Sequence, residues 1–253
     1  MKLSTKDRVD VVTIVTYIVA VYVATIAIQI YQPYTGGYFN LGEAVIYIAA
    51  ILHGPIVAAV AGGIGASLAD LSTGYGIFAP ATAVIKFIEG YLAGWLIWRF
   101  RDKARNIKAI VGALIGVLYT FLLILFAIYY WSGPTYIGPS QILSLTITSA
   151  YLDIPVYVWI IIVLVIGALL SYVLVKKLVT AWEPLALILA GLEMVIGYFL
   201  YEYFVSNPLT GRQPIAALAE IPVNIGQAVI GASIAVPLAT WLVRAGYGGR
   251  KSD

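Results

Sequence analysis

Three polar side chains recur at helical spacing within an apolar stretch near residue 85. Thr82, Lys86 and Glu89 occupy positions i, i+4 and i+7, which lie on one face of an α-helix. Lys86 and Glu89 are one turn apart, so they can form an ion pair. A face of this kind offers charges and hydrogen-bonding groups to a small molecule.

The same spacing recurs near the C-terminus, in Glu220, Asn224 and Gln227. Glu193 lies between the two stripes in the sequence, near the middle of another apolar run. If the two stripes face each other at one depth, they form a polar and net acidic pocket. The alternative is that these groups only hydrogen-bond to one another and hold helices together.

The surrounding composition is that of a membrane protein. Only 11% of the 253 residues are charged and 62% are hydrophobic, and the mean hydropathy is +0.95. An ionisable group at bilayer depth costs at least about 2.5 kcal/mol, so such groups tend to be functional. The net charge of +3 comes from basic residues beside apolar runs, so we expect no nucleic-acid partner. Cysteine is absent, which excludes thiolate sites.

The sequence predicts an all-α fold, a polytopic bundle of about eight transmembrane helices in a single domain, 1–253. The main ambiguity is at Gly54-Pro55, where a long apolar stretch is either one kinked helix or two helices. With two helices, almost all basic clusters share one side of the membrane, as the positive-inside rule requires. The predicted spans are 10–31, 41–53, 54–71, 79–98, 109–131, 153–175, 184–205 and 215–243.

This topology makes both termini cytoplasmic and places four connections outside. Within the first of these, 32–40, adjacent glycines and aromatic residues suggest a mobile cover over a site. The outer aromatic residues are equally typical of an interfacial belt. The four connections are 32–40, 72–78, 132–152 and 206–214.

Small residues form two further stripes. Ala20 and Ala24 lie four apart on the first predicted span, and Ala58, Gly62 and Ala66 repeat this spacing on the third. Small faces let helices approach closely. They serve either packing within this chain or docking to a separate membrane subunit.

Several segments resemble the substrate-binding S components of energy-coupling-factor (ECF) transporters, in particular the riboflavin-type branch. The resemblance covers most of 10–100 and 184–243. It is carried by Tyr38-Phe39-Asn40-Leu41-Gly42-Glu43-Ala44, Gly54-Pro55, 62–70, Phe78-Ala79-Pro80-Ala81-Thr82 with Lys86 and Glu89-Gly90, 194–199 with Glu202, and 219–227.

The resemblance implies a binder of a vitamin or related micronutrient, without a cofactor, embedded in membrane lipid. It also implies docking on a T component with two ATPase subunits, and the chain itself has no phosphate-binding loop. Ala20 and Ala24 would face the T component. Such proteins usually have six spans, so 105–180 looks like an inserted helix pair. The implied substrate site comprises Asn40, Lys86, Glu89, Glu193, Glu220, Asn224 and Gln227.

Two other function classes compete with this interpretation. A solitary secondary carrier could use protonation of Glu89 or Glu193, but the inverted repeat and broken helices typical of such carriers are not evident. An intramembrane enzyme could use a carboxylate of raised pKa as an acid or base. The sequence has no paired-aspartate, Ser/His or metal-ligand motif, so we expect no enzymatic activity.

The sidedness of the chain can be tested with single cysteines, because the chain has none of its own. Cysteines replacing Ser4 and Asn106 should both react with an impermeant thiol reagent only from the cytoplasmic side. A cysteine in the 206–214 connection should react from the opposite side. Labelling of Ser4 and Asn106 positions from opposite sides would contradict the predicted topology.

Overall fold

The computed structural model describes residues 10–31, 36–100, 133–148, 150–175 and 182–247, and isolated positions between 114 and 124. The predicted span 109–131 and most of the basic clusters lie outside the described residues. The described part is mostly helical, as predicted. Its main helices are α1 (Val11–Ala27), α2 (Gly42–His53), α3 (Pro55–Ser72), α4 (Ala79–Phe100), α5 (Val156–Val175), α6 (Trp182–Tyr201) and α7 (Glu220–Arg244).

Three described helical segments are long and apolar enough to cross a membrane, namely Pro55–Ser72, Trp182–Leu209 and Pro214–Arg244. The last two extend α6 and α7 through short π-helical, α-helical and 3-10 segments. Shorter apolar helices are Val11–Ala27, Gly42–His53 and Val156–Leu169. The 22 residues of α4 extend over about 33 Å, although it carries Lys86 and Glu89. These features are those of a helical membrane protein.

The predicted break at Gly54-Pro55 is confirmed. Gly54 has a φ of 83°, which residues with a side chain rarely adopt, and Pro55 occupies the first turn of α3, where its missing N–H does no harm. The indole N–H of Trp98 on α4 donates to the carbonyl oxygen of Ala50 at 3.0 Å. This turn is therefore held against α4.

The four connections that the sequence places outside meet at one end of the described bundle. The Leu143 backbone N–H donates to the Ser72 carbonyl oxygen at 2.7 Å, and the Gly138 N–H donates to the Gln29 carbonyl oxygen at 3.2 Å. Gly36 lies against the Arg212 guanidinium. The chain therefore alternates in direction along the described helices, as the predicted topology requires.

Two of these connections contain strands, which the sequence analysis did not predict. A four-stranded sheet has the order β2-β1-β3-β6, and β4 pairs with β5. Pairing is antiparallel, with Ile30 opposite Phe39 and opposite Ile137. The segment after α1 thus pairs with the predicted insertion. The strands are β1 (Ile30–Tyr31), β2 (Tyr38–Phe39), β3 (Gly133–Ile137), β4 (Gln141–Ile142), β5 (Leu145–Thr146) and β6 (Ala150–Ile154).

The small residues of α3 pack within the chain. Ala58, Gly62 and Ala66 are all buried, and a Cβ added to Gly62 would lie 2.8 Å from the Lys86 carbonyl oxygen of α4. A Cβ added to Gly90 would lie 2.5 Å from the Ala58 carbonyl oxygen. Of the two alternatives for this stripe, the structure supports packing between α3 and α4.

We expect Gly90→Ala to destabilise the protein because the new methyl group would meet the backbone of α3. Overpacking of this kind costs about 1 to 3 kcal/mol, which should lower the thermal unfolding midpoint in detergent. Gly76→Ala is the matched control, since its added Cβ would meet only Leu71, at 4.0 Å. Equal midpoints for the two variants would show that α3 and α4 are not so closely packed.

Candidate binding site

A buried ionic cluster joins α2 to α4. The Lys86 ammonium forms ion pairs with Glu43 and with Glu89, the second at 3.1 Å. Tyr47 donates its hydroxyl to Glu89 Oε1 at 2.7 Å, and the Lys86 ammonium lies 5.5 Å from the centre of the Tyr198 ring. All three charged side chains are buried. Charges in such surroundings must be paired, so this cluster fixes the positions of both helices.

A second polar contact joins the segment after α1 to the end of α3. Tyr38 on β2 donates its hydroxyl to Asp70 Oδ1 at 2.6 Å, and its ring lies 4.4 Å from that of Tyr75. Burial, and then the Asp70 carboxylate, raises the pKa of the Tyr38 hydroxyl well above its usual value. Burial likewise raises the pKa of Tyr75 to about 12. Both phenols therefore stay protonated at neutral pH.

The entry into α2 is held by side chains rather than by helical hydrogen bonds. Gln227 on α7 accepts the Asn40 backbone N–H at 3.1 Å, and Asn40 Oδ1 accepts the N–H of Gly42 at 2.7 Å. Non-helical backbone inside a membrane protein needs such partners, because lipid supplies none. Gln227 of the C-terminal stripe is thus bonded directly to the segment that enters α2.

Glu202 faces inward from a π-helical segment, Glu202–Ser206, that follows α6. Its side chain is buried. π-helical turns are rare and often occur at functional sites. The segment brings this carboxylate close to Glu220 at the start of α7, and the two interact electrostatically.

These groups surround one cavity at the end of the bundle where the four connections meet. Its volume is about 40 Å³, and it is partly open to the outside. A cavity of this size holds a few water molecules at most, so a larger ligand requires the lining to widen. The cavity has three aromatic side chains and three carboxyl groups in its lining. It is lined by Thr25, Gly37, Tyr38, Asn40, Ala66, Asp70, Phe78, Thr82, Lys86, Tyr198, Glu202, Glu220, Asn224 and Gln227.

The structure brings most of the sequence-predicted site residues together at this cavity. Asn40, Lys86, Glu220, Asn224 and Gln227 line it. Glu89 does not line it and lies behind Lys86, bonded to that side chain and to Tyr47. Glu193 is not among the lining residues either, but is close enough to Glu89 and Lys86 to interact electrostatically with both.

The set of site residues derived from the sequence omits several lining residues. Asp70 and Glu202 are recognisable as polar groups near the outer ends of spans, but helical spacing does not connect them with a stripe. Tyr38 and Tyr198 carry no signal that separates them from interfacial aromatic residues. Thr25 is a lone hydroxyl in an apolar helix.

Compared with known protein families, residues 2–179 match the family described as ECF-type riboflavin transporter, S component. The matched residues include the predicted insertion and end before α6 and α7, which supply the other half of the cavity. A protein from Pyrococcus woesei, described as an uncharacterized protein in the gap 3′ region, is 36% identical over 116 residues. That alignment covers 46% of this chain and 75% of the Pyrococcus protein.

No solved structure matches the chain. The family match covers more than half of the chain, includes α1 to α5, and agrees with the helical membrane fold. The chain therefore belongs to the family of S components of ECF-type riboflavin transporters, which are transport subunits and not enzymes.

Proposed function

We propose that this chain is the membrane-embedded subunit that binds a vitamin or related micronutrient for uptake, and that the cavity is its substrate site. The observation that carries the proposal is a set of buried polar atoms in the cavity lining that have no hydrogen-bond partner among the described residues. They are Thr25 Oγ1, Asp70 Oδ2, Glu202 Oε2 and Asn224 Nδ2. Glu89 and Glu193 support the site from behind Lys86.

Unsatisfied atoms favour a ligand site over a purely structural network. Buried polar groups are nearly always hydrogen-bonded, and each one left without a partner costs about 1 to 3 kcal/mol. A network that only held helices together would pair its members. Nine buried polar atoms of the described residues have no partner, among them Glu43 Oε2 of the ionic cluster. Four of the nine belong to residues that line the cavity, where a substrate can satisfy them.

The arrangement of the connections supports access from one end of the bundle. In the proposed eight-span topology both termini are cytoplasmic, so the end with the cavity faces outward. The β1-β2 segment contributes Tyr38 to the lining and closes on Asp70 through one hydroxyl. This contact can open without disturbing the ionic cluster, as an entry cover requires. The region 105–180, proposed as an inserted helix pair within the single domain, supplies the neighbouring strands.

The proposal includes docking on a T component with two ATPase subunits through α1. One side of α1 is buried at Val21, and a Cβ added to Gly65 of α3 would lie 2.8 Å from Val21 Cβ. Ala20 and Ala24 are half-buried beside an exposed row that includes Val19 and Val23. The side of α1 that faces away from α3 thus carries small and apolar side chains, which suits close contact with another membrane helix.

Asn224→Ala should weaken binding of the small molecule that co-purifies with the protein. The substitution removes an amide whose nitrogen has no partner within the described protein, so the ligand loses a hydrogen bond while folding is little affected. About 1.4 kcal/mol corresponds to a tenfold rise in Kd, and we expect at least that by isothermal titration.

Ser233→Ala is the matched control for Asn224→Ala. Ser233 is buried on the same helix, bonds to the Val229 carbonyl oxygen at 2.7 Å, and does not line the cavity. Its loss should leave the Kd unchanged. If Asn224→Ala and Ser233→Ala bind the ligand equally well, the cavity is not the substrate site.

Ala20→Leu and Ala24→Leu should reduce association with the T component while ligand binding persists, because a larger side chain keeps the partner helix away. Co-purification of the T component and ligand titration on the same variants measure the two effects. Val84→Leu, on an exposed face of α4, is the control. If Ala20→Leu and Ala24→Leu both associate with the T component as well as the unmodified protein does, α1 is not part of the docking surface.

A further inference from the structure

The charges that line the cavity are strongly unequal. Asp70, Glu202 and Glu220 are acidic, and Lys86 is the only basic residue among the described residues of the lining. The Lys86 ammonium is already held by Glu43 and Glu89, so the ionic cluster is itself net acidic when ionised. The lining therefore holds three carboxyl groups and a single ammonium, which two further carboxylates already engage.

One cation that interacts with Glu202 outside the cluster does not line the cavity. Arg212 interacts electrostatically with Glu202, but it is absent from the lining. Its guanidinium donates to Thr210 Oγ1 at 2.9 Å and lies against Gly36. It therefore lies at the outer rim and not in the cavity.

The unpaired carboxylate oxygens of the lining require hydrogen-bond donors on the ligand. Asp70 Oδ2 and Glu202 Oε2 are buried and have no hydrogen-bond partner within the part of the chain that the structure describes. An ionised carboxylate can only accept hydrogen bonds. Hydroxyl groups of a neutral ligand would satisfy the hydrogen bonds but leave the charge uncompensated in surroundings of low dielectric constant. A donor that is itself positively charged provides the hydrogen bond and also compensates the charge.

The rest of the lining favours an organic cation over a metal ion. Tyr38, Phe78 and Tyr198 contribute aromatic rings, whose faces attract cations. Within the described ranges, no group of three or more His, Cys, Asp or Glu side chains is arranged to hold a metal ion. Aromatic faces and unpaired carboxylate acceptors in one lining suit a flat nitrogen cation with N–H donors.

We propose that the cavity selects an organic cation whose N–H groups bond to Asp70 and Glu202 and whose positive charge balances the acidic lining. This inference rests on the proposed function, because it assumes that the cavity is the substrate site. It departs from the substrate in the family description, since riboflavin is neutral.

Two pairs of probes test the charge of the preferred ligand on the purified full chain. Benzamidine and benzamide have nearly the same shape, but only benzamidine is cationic. Thiamine, a cation with an aromatic amine, is compared with riboflavin as a second pair, which differs in shape as well as in charge. Titration calorimetry should show each cation binding at least about tenfold more tightly than its neutral counterpart, a difference of 1.4 kcal/mol or more.

Asp70→Asn and Glu202→Gln should each abolish that preference, because they keep the shape of the side chain and remove its charge. Without ligand, both variants should also have a thermal unfolding midpoint equal to or higher than that of the unmodified protein. The reason is that each substitution removes a buried charge that no cation balances. Glu183→Gln, a buried carboxyl outside the lining, should retain the preference for cations.

Equal or tighter binding of riboflavin or benzamide, or an undiminished cation preference in both variants, would overturn the proposed ligand charge. Tight riboflavin binding that is lost in Asn224→Ala would overturn it while supporting the proposed function. If no probe binds and no small molecule co-purifies, both proposals fail.

Discussion

The need to pair Lys86 inside an apolar protein determines much of this architecture. An ammonium buried in lipid-like surroundings is tolerated only when opposite charges reach it, and Glu43 and Glu89 do so. Because Glu43 lies on α2 and Glu89 on α4, the pairing holds together two helices separated in sequence by α3. Gly62 allows this arrangement, since its missing side chain admits the backbone of α4 at Lys86.

The ionic cluster divides the polar interior into two layers with different roles. The deep layer is held by Tyr47, Glu89 and Lys86 through short contacts. The layer beside the cavity contains single atoms that no described protein group satisfies, among them Asp70 Oδ2 and Asn224 Nδ2. Removing a member of the deep layer should therefore affect folding, whereas removing one from the layer beside the cavity should affect the ligand.

The sequence predicted the helical membrane fold, the break at Gly54-Pro55 and the gathering of four connections at one end, because apolar periodicity and basic residues report directly on burial in lipid. Helical spacing also identified Lys86 and Asn224 as neighbours of one site. Spacing within a helix cannot reveal contacts between elements. It therefore missed the pairing of Ile30 with Ile137 and of Tyr38 with Asp70, which depends on how distant segments meet.

For the same reason, the sequence did not distinguish the ionic cluster from the residues that line the cavity. Lys86 and Glu89 lie on one helical face, yet only Lys86 lines the cavity, because Tyr47 and Glu43 of α2 enclose Glu89 from the other side. The π-helical turn at Glu202 likewise shifts the helical register locally, which no apolar pattern predicts.

The most direct test of the substrate site is an experimental structure of the protein with the small molecule that it retains on purification. The account predicts ligand density in the cavity, within hydrogen-bonding distance of Asp70 or Glu202 and of Asn224. Density only elsewhere, such as in the groove between α5 and α7 lined by Leu169 and Trp241, with the cavity closed, would contradict it.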